Sequence, residues 1–332
     1  MDPITEWIAR LGWIFDVWLF ALGAAVGSFL NVVAYRVPAG KSIVHPGSQC
    51  PACGHPIRWY HNLPIVSWLW LRGKCHDCRA RISVRYLMVE LAAALLFLAL
   101  AQIDIWPAFG SSSGGVILAR FGFHLWLLAT LLVAALIEYD GQRLPKSIAL
   151  IALAAALILS MSVPGVRFEL WSGDGPDDRT LATLAACIGG AGGALLGGLV
   201  EWIIRKAQNR QRGTREQRIT DPSPIATLAC VGAFLGGVAA IATSAIALAI
   251  YFVANWRAKR FPFAASVALA AIIWIAIAAP RLHSPRAPER GGESHRSTAA
   301  AQWPIAPPVA DFRGTIATVP PAWPRTSPGS RR

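Results

Sequence analysis

The stretch VILARFGFHLWLLATLLVAALI occupies residues 116–137 and contains a single charged residue, Arg120. As a helix it would be about 33 Å long, enough to cross a hydrocarbon layer of about 30 Å. Comparable apolar runs recur along the chain and predict an all-α, polytopic membrane protein with seven or eight transmembrane helices. These runs lie at residues 13–35, 87–103, 147–163, 181–204, 225–253 and 263–279.

The composition agrees with this prediction. The chain has 332 residues, of which 55% are hydrophobic and 15% charged. Soluble domains carry about 25% charged residues, so an ordinary soluble domain is excluded. The apolar content also excludes disorder of the whole chain.

The run at 225–253 is longer than one membrane crossing needs, and Gly236-Gly237 interrupts it. We therefore expect two shorter or re-entrant helices here. That division also leaves Arg257, Lys259 and Arg260 on the same side as the other basic segments, whereas a single helix would place them on the opposite side.

The net charge of +13 is unevenly distributed. Segment 36–86 holds eight Lys or Arg residues against Asp77 alone. By the positive-inside rule this segment is predicted to be cytoplasmic and the N-terminus to lie outside. Because the basic residues flank apolar runs and form no recognition-helix pattern, we expect membrane lipid and not nucleic acid as the surroundings of the chain.

These patterns divide the chain into four domains. Residues 1–35 form a first transmembrane helix, 36–86 a cytoplasmic loop, 87–279 a membrane domain and 280–332 a Pro/Arg-rich tail that is predicted to be disordered. In the membrane domain, Gly189, Gly193 and Gly197 recur at intervals of four residues, a spacing that favours close helix packing.

Four cysteines mark the cytoplasmic loop. Cys50 and Cys53 form one C-x2-C pair, and Cys75 and Cys78 form a second pair after a 21-residue spacer. This spacing is typical of a four-thiolate zinc ribbon, in which a closed coordination shell makes the zinc structural. The alternative is two disulfides, which the reducing cytoplasm disfavours.

The region from about residue 20 to 92 closely resembles the N-terminal region of bacterial prepilin leader peptidases, a family of membrane aspartic peptidases. The resemblance continues more weakly to about residue 275. The motifs that carry it are GSFLNVVAYRVP at 27–38, CPACGHPI at 50–57, WYHNLPIVS at 59–67, LRGKC at 71–75 and ISVRYLMVE at 82–90.

This resemblance implies an inner-membrane aspartic endopeptidase, a hydrolase that cuts the basic leader from type IV prepilins and type II secretion pseudopilins on the cytoplasmic side. Many family members then N-methylate the new N-terminus with S-adenosylmethionine as the methyl donor. The loop associated with methylation is present, although His61 stands where an acidic residue is usual before Asn-Leu-Pro.

The resemblance also implies two catalytic carboxylates that share a proton. In the family, the first carboxylate lies seven residues before the Pro of a Leu-Pro turn. Glu138 occupies that position here, and Asp140 follows two residues later. The second belongs to a Gly-x-Gly-Asp motif eight residues before GAFLG at 232–236. Pro224 occupies that position, and the nearest acid is Asp221, without the motif glycines.

Two interpretations follow from these departures. In the first, Glu138 or Asp140 pairs with Asp221 and the chain is a working peptidase. In the second, the catalytic pair has been lost and the chain is a pilin-binding or assembly protein of the same fold. Asp221 would then be the N-cap of the next helix, with Pro222 at its first position.

Overall fold

The computed structural model describes residues 3–108, 114–162, 179–211, 223–258 and 261–282. Residues 1–285 form one compact unit, and a second unit comprises Arg286–Arg332. The predicted disordered tail at 280–332 falls almost wholly outside the described residues, as does Asp221.

The described residues form nine α-helices, a 3-10 turn at Trp59–His61 and a π turn at Ala101–Ile105 that continues the third helix. No β-strand occurs in the described ranges, where strand pairing is limited to two isolated bridges. The helices are α1 (Pro3–Arg36), α2 (Val66–Trp70), α3 (Val84–Leu100), α4 (Gly114–Tyr139), α5 (Lys146–Ser162), α6 (Arg179–Gln211), α7 (Pro224–Leu235), α8 (Gly237–Ala258) and α9 (Phe263–Leu282).

Each apolar run is helical over its described residues, apart from a break at Gly236, and the all-α prediction is confirmed. Five helical segments are long and apolar enough to cross a membrane. Three shorter apolar helices, α5, α7 and α9, complete the set among the described residues. The five long segments are Gly12–Arg36, Val84–Ile105, Gly114–Tyr139, Thr183–Ala207 and Gly237–Asn255.

The predicted interruption of the run at 225–253 is present. Helix α7 ends at Leu235 and α8 begins at Gly237. Between them Gly236 has φ +90° and ψ 170°, a backbone conformation that side-chain-bearing residues rarely adopt. The glycine therefore ends one helix and permits the change of direction into the next.

The glycine spacing in α6 packs this helix against α7. A Cβ atom on Gly189 would lie 2.2 Å from the carbonyl oxygen of Gly232, and one on Gly193 would lie 2.0 Å from that of Leu228. A Cβ atom on Gly197 would lie 2.4 Å from the Cα of Ile225. These separations leave no room for a side chain, so the two backbones are in direct contact.

Helices α1 and α3 approach each other in the same way. A Cβ atom on Gly23 would lie 2.8 Å from the Cα of Ala94, and one on Gly27 would lie 2.8 Å from the Cβ of Ala93. Gly27 is the first residue of the GSFLNVV motif. The close packing of α1 on α3 explains why this position is a glycine.

Two apolar cores fill the bundle. The larger one contains Phe123, Phe234 and Phe263, with the rings of Phe123 and Phe234 centred 4.6 Å apart. The smaller one includes Val89, Ile137 and Ala264. It joins the start of α3, the end of α4 and the start of α9, and so encloses the first predicted carboxylate.

Candidate metal centre and carboxylate site

The two C-x2-C pairs lie in backbone turns of the same construction. In the first, the N–H of Cys50 donates to the carbonyl of His55 at 3.0 Å and the N–H of Gly54 donates to that of Cys50 at 2.9 Å. In the second, Cys75 donates to Ala80 at 2.8 Å and Arg79 donates to Cys75 at 3.1 Å. The second turn therefore repeats the first at an offset of 25 residues.

A residue with positive φ follows the second cysteine in each turn. Gly54 has φ +71°, and Arg79 has φ +60° at the equivalent place. Left-handed backbone is unstrained for glycine and costs about 1 kcal/mol or more for other residues. The repeated geometry is retained despite this cost, as expected if it serves to aim two sulfur atoms at one point.

The four sulfur atoms converge. All Sγ atoms of Cys50, Cys53, Cys75 and Cys78 lie within 4.8 Å of one another, and Cys50 Sγ is 3.8 Å from Cys78 Sγ. A tetrahedral zinc ion with Zn–S bonds of about 2.3 Å requires sulfur atoms about 3.8 Å apart. No S–S bond joins these four cysteines in the structure. The cluster can therefore hold one tetrahedral metal ion.

The local backbone favours a thiolate at Cys50. The N–H groups of Cys53 and Ala52 point at its sulfur and lower the pKa of the Cys50 thiol to about 6. Because the thiolate and not the thiol is the metal ligand, this geometry suits Cys50 to a cation. The backbone N–H of His55 lowers the pKa of the Cys53 thiol, but desolvation and the neighbouring Cys78 and Cys50 side chains together raise it to about 12, so the preference for a thiolate at Cys50 does not extend to Cys53.

Glu138 is completely buried at the end of α4. Its Oε1 accepts the N–H of Ser223 at 2.7 Å, and its Oε2 accepts the N–H of Ala264 at 2.9 Å. These donors belong to the N-terminal ends of α7 and α9. Helix N-termini present free N–H groups and a positive dipole end, so they suit a carboxylate.

Ser223 links a further segment to this carboxylate. It is the N-cap residue of α7, with Pro224 at the first helical position. Its Oγ accepts the N–H of Leu144 at 3.2 Å and so ties down the Leu-Pro turn that follows α4. The interpretation of Asp221 as the N-cap with Pro222 at the first position is therefore wrong, because α7 begins two residues later.

Asp140 has a different environment. Its Oδ1 accepts a hydrogen bond from Arg85 Nη1, and both side chains are 28% exposed. The Arg85 guanidinium also lies 5.9 Å from the ring centroid of Tyr139. The structure thus holds Glu138 and Asp140 through separate partners. Asp221 lies outside the described residues, and its pairing with either acid stays a prediction.

Sequence reasoning missed two other buried acids. Glu90 accepts the N–H of Ile65 at 2.7 Å, and Asp104 Oδ2 lies 2.8 Å from Nδ1 of His124. Both acids lie in the candidate span Val84–Ile105. The available signal was an acid within or directly after an apolar run, because an ionisable group inside a membrane segment is costly and needs a partner.

His61 lies in the 3-10 turn, where its ring stacks on that of His76 with centroids 4.6 Å apart. Partial burial lowers the pKa of His61, and the neighbouring charges of His76 and Arg58 lower it further. Both effects favour the neutral imidazole of His61.

Comparison with known proteins places these features in context. A family model described as "Bacterial Peptidase A24 N-terminal domain" matches residues 21–103, which include all four clustered cysteines. The curated relatives include several proteins named "Prepilin leader peptidase/N-methyltransferase". No solved structure matches the chain.

Three of these relatives show how far the similarity extends. The protein from Myxococcus xanthus is 43% identical over 161 residues, which cover 47% of this chain and 39% of that protein. The one from Burkholderia pseudomallei is 32% identical over 72% of this chain and 76% of its own length. The one from Aeromonas salmonicida is 29% identical over 83% and 95%, respectively.

The extent of the matches varies among relatives. The chain spans 39% and 52% of the lengths of the Myxococcus xanthus and Pseudomonas putida proteins. The apolar helices and the longer matches agree that it is a membrane protein.

Proposed function

Because the chain belongs to the prepilin leader peptidase/N-methyltransferase family, we propose that it is a membrane aspartic endopeptidase that removes leaders from type IV prepilins or type II secretion pseudopilins. The names of the relatives support this function, and the matches with two of them extend over most of the helical bundle.

The observation that carries the proposal is the buried carboxylate of Glu138. It occupies the motif position at the end of α4, with two backbone N–H groups and two helix N-termini directed at it. Asp221 precedes Ser223 by two residues, and two residues of extended chain reach about 7 Å. That reach is compatible with the proposed pairing of Glu138 and Asp221.

In the proposed reaction the two acids have different roles. One ionised carboxylate takes a proton from water as the water attacks the scissile carbonyl carbon. The protonated partner hydrogen-bonds to the carbonyl oxygen and polarises it. Burial of the Glu138 side chain limits access of bulk water to this pair. We leave Asp140 out of the catalytic pair, because Arg85 already occupies its carboxylate.

Co-expression with a prepilin from the same source tests the function, with leader removal scored by mass. The unsubstituted chain is expected to cleave, Glu138→Ala and Asp221→Ala to abolish cleavage, and Asp140→Ala to retain it. Glu201→Ala is the matched control, because Glu201 pairs with Arg205 on the surface of α6.

The possible outcomes test the peptidase activity and the assignment of the catalytic acids separately. No cleavage by the unsubstituted chain would contradict the peptidase proposal and favour a pilin-binding or assembly protein. Cleavage that persists in all substituted chains would contradict the assignment of the acids while leaving the enzyme class intact.

We also propose N-methylation of the new N-terminus, with S-adenosylmethionine as the methyl donor. Support comes from the second half of the relatives' name and from the match over residues 21–103. A mass increase of one methyl group on the processed pilin, dependent on S-adenosylmethionine, tests this activity. His61→Asp or His61→Glu examines the departure from the usual acidic residue, and either is expected to preserve or raise methylation.

For the tetracysteine loop we propose a structural zinc ion, held by Cys50, Cys53, Cys75 and Cys78. Four sulfur ligands leave no open position, so the ion would organise the loop and take no part in bond cleavage. We further propose that segment 36–86 faces the cytoplasm of a bacterium and that the N-terminus lies outside the inner membrane. Support comes from the eight basic residues in that segment.

A further inference from the structure

The short helix α2 exposes an apolar side. Val66, Leu69 and Trp70 are all exposed, and the side chain of Trp70 is 82% accessible. Residues spaced by three and four positions lie on the same side of a helical turn. Ser67, on the other side, is buried and donates through Oγ to the carbonyl of Tyr60 at 3.0 Å. The side formed by Val66, Leu69 and Trp70 is called the α2 face below.

Glu90 links α2 to a candidate membrane helix. This residue lies six positions, or about 9 Å, along the candidate span Val84–Ile105. The whole span is about 33 Å long, close to the thickness of the hydrocarbon layer. Glu90 accepts the N–H of Ile65, the residue immediately before α2. The start of α2 is therefore attached to the side of this candidate span, in the third of its length that adjoins the loop.

This attachment holds Ile65 in an unfavourable backbone conformation. Its φ is +64°, which is uncommon for any non-glycine residue and especially for a β-branched one. Such conformations persist where surrounding contacts determine them. The hydrogen bond from Ile65 to the buried Glu90 is one of those contacts, so the position of α2 is defined by more than its own short sequence.

The surroundings of the α2 face combine aromatic and basic residues. Trp59 is 77% exposed and Tyr60 is exposed beside it. Arg58, Arg72 and Lys74 are exposed on the same loop. Trp and Tyr are enriched where protein meets the head-group layer, and Lys and Arg attract anionic lipid head groups.

We propose that the α2 face inserts into the head-group layer of the bilayer that the chain itself spans, with Arg58, Arg72 and Lys74 on anionic lipid. The basic surroundings favour anionic lipid over a basic peptide such as a prepilin leader, because like charges repel. This goes beyond the proposed function, since neither activity requires it. The consequence is a tetracysteine loop lying against the membrane surface at a fixed height.

Fluorine NMR of the full chain tests this contact. The protein is labelled with 5-fluorotryptophan and placed in lipid nanodiscs of phosphatidylcholine and phosphatidylglycerol. Trp70→Phe identifies the Trp70 signal, and Trp126→Phe identifies that of Trp126, which is exposed on the spanning helix α4. Lipids with a nitroxide near the head group should broaden both signals, and a soluble gadolinium chelate should broaden Trp70 little.

Other results would overturn the proposal. One is a Trp70 signal that is broadened by the gadolinium chelate and unaffected by the nitroxide lipid. Another is protection from gadolinium that arises only after a prepilin is added, since that would assign the α2 face to the substrate. Equal behaviour in nanodiscs without phosphatidylglycerol would overturn the part assigned to the basic residues.

A charged substitution provides an independent test. Leu69→Asp should detach the α2 face and raise the rate of trypsin cleavage after Arg72 at least severalfold in nanodiscs. Val44→Asp is the matched control, because Val44 is an equally exposed apolar residue elsewhere on the loop. Metal content equal to that of the unsubstituted chain verifies that the loop is folded. An unchanged cleavage rate in folded Leu69→Asp would contradict the proposal.

Discussion

Ser223 donates its N–H to Oε1 of Glu138 at 2.7 Å across 85 residues of sequence. The same serine accepts the N–H of Leu144 through its Oγ at 3.2 Å. One small residue therefore joins the end of α4, the Leu-Pro turn and the start of α7. The position of the Glu138 carboxylate depends on all three segments, so a substitution that moves any of them should also move this carboxylate.

Glu138→Ala is expected to destabilise the bundle as well as remove the carboxylate. The substitution leaves the N–H groups of the half-buried Ser223 and the buried Ala264 without their acceptor, at a cost of up to about 1–3 kcal/mol each. The melting temperature in detergent should fall clearly, whereas Glu201→Ala on the surface should change it little. A Glu138→Ala chain as stable as the unsubstituted one would contradict the hydrogen-bond geometry.

Alanine substitutions of the α6 glycines should affect stability at positions that contact α7 and have little effect at positions that contact nothing. Gly193→Ala places a Cβ about 2.0 Å from the carbonyl oxygen of Leu228, which forces α6 and α7 apart. Gly192→Ala meets nothing within 4 Å and is the matched control. We expect Gly193→Ala to lower stability by about 1–3 kcal/mol or more and Gly192→Ala to be neutral or slightly stabilising, as measured by thermal unfolding. Equal effects of the two would contradict the α6–α7 contact.

Metal analysis tests the tetracysteine cluster. The purified chain should contain one equivalent of zinc, and Cys50→Ser combined with Cys75→Ser should lose it, because each turn then keeps one sulfur. Cys187→Ser is the control, since Cys187 lies on α6 outside the cluster. Zinc retained by the double variant would show that the metal binds elsewhere.

The coupling free energy between Arg85 and Asp140 should be small. Their ion pair joins the beginning of α3 to the residue after α4, and both side chains are 28% exposed. Pairs of this accessibility contribute about 0.2–1 kcal/mol. A double-mutant cycle with Arg85→Ala and Asp140→Ala should therefore give a coupling energy in that range. A coupling above about 3 kcal/mol, typical of buried pairs, would contradict this interpretation.

Local patterns predicted much of the architecture. The apolar runs gave helices at the expected places, the Gly236-Gly237 pair divided α7 from α8, and Gly189, Gly193 and Gly197 lie against α7. The cysteine spacing predicted a convergent cluster. Each of these features depends on residues close together in sequence or on a spacing that one helix face repeats.

The partners of the carboxylate could not be predicted in this way. Ser223 and Ala264 act through backbone N–H groups, which carry no sequence signature, and lie 85 and 126 residues from Glu138. Asp221 with Pro222 matches the pattern of a helix start as well as Ser223 with Pro224 does, because both prolines suit the first position of a helix. Only the tertiary structure distinguishes them, through the contact of Ser223 with Glu138.

The hydrogen bond from Ala264 to Glu138 can form only late in the synthesis of the chain. The ribosome must add 126 residues after Glu138 before the second donor exists. Until α9 joins the bundle, a growing chain holds this acid with at most one of its two backbone partners. Helix α9, the last helix among the described residues, therefore completes the site, and a chain truncated before it would lack a finished carboxylate site even with every acid in place.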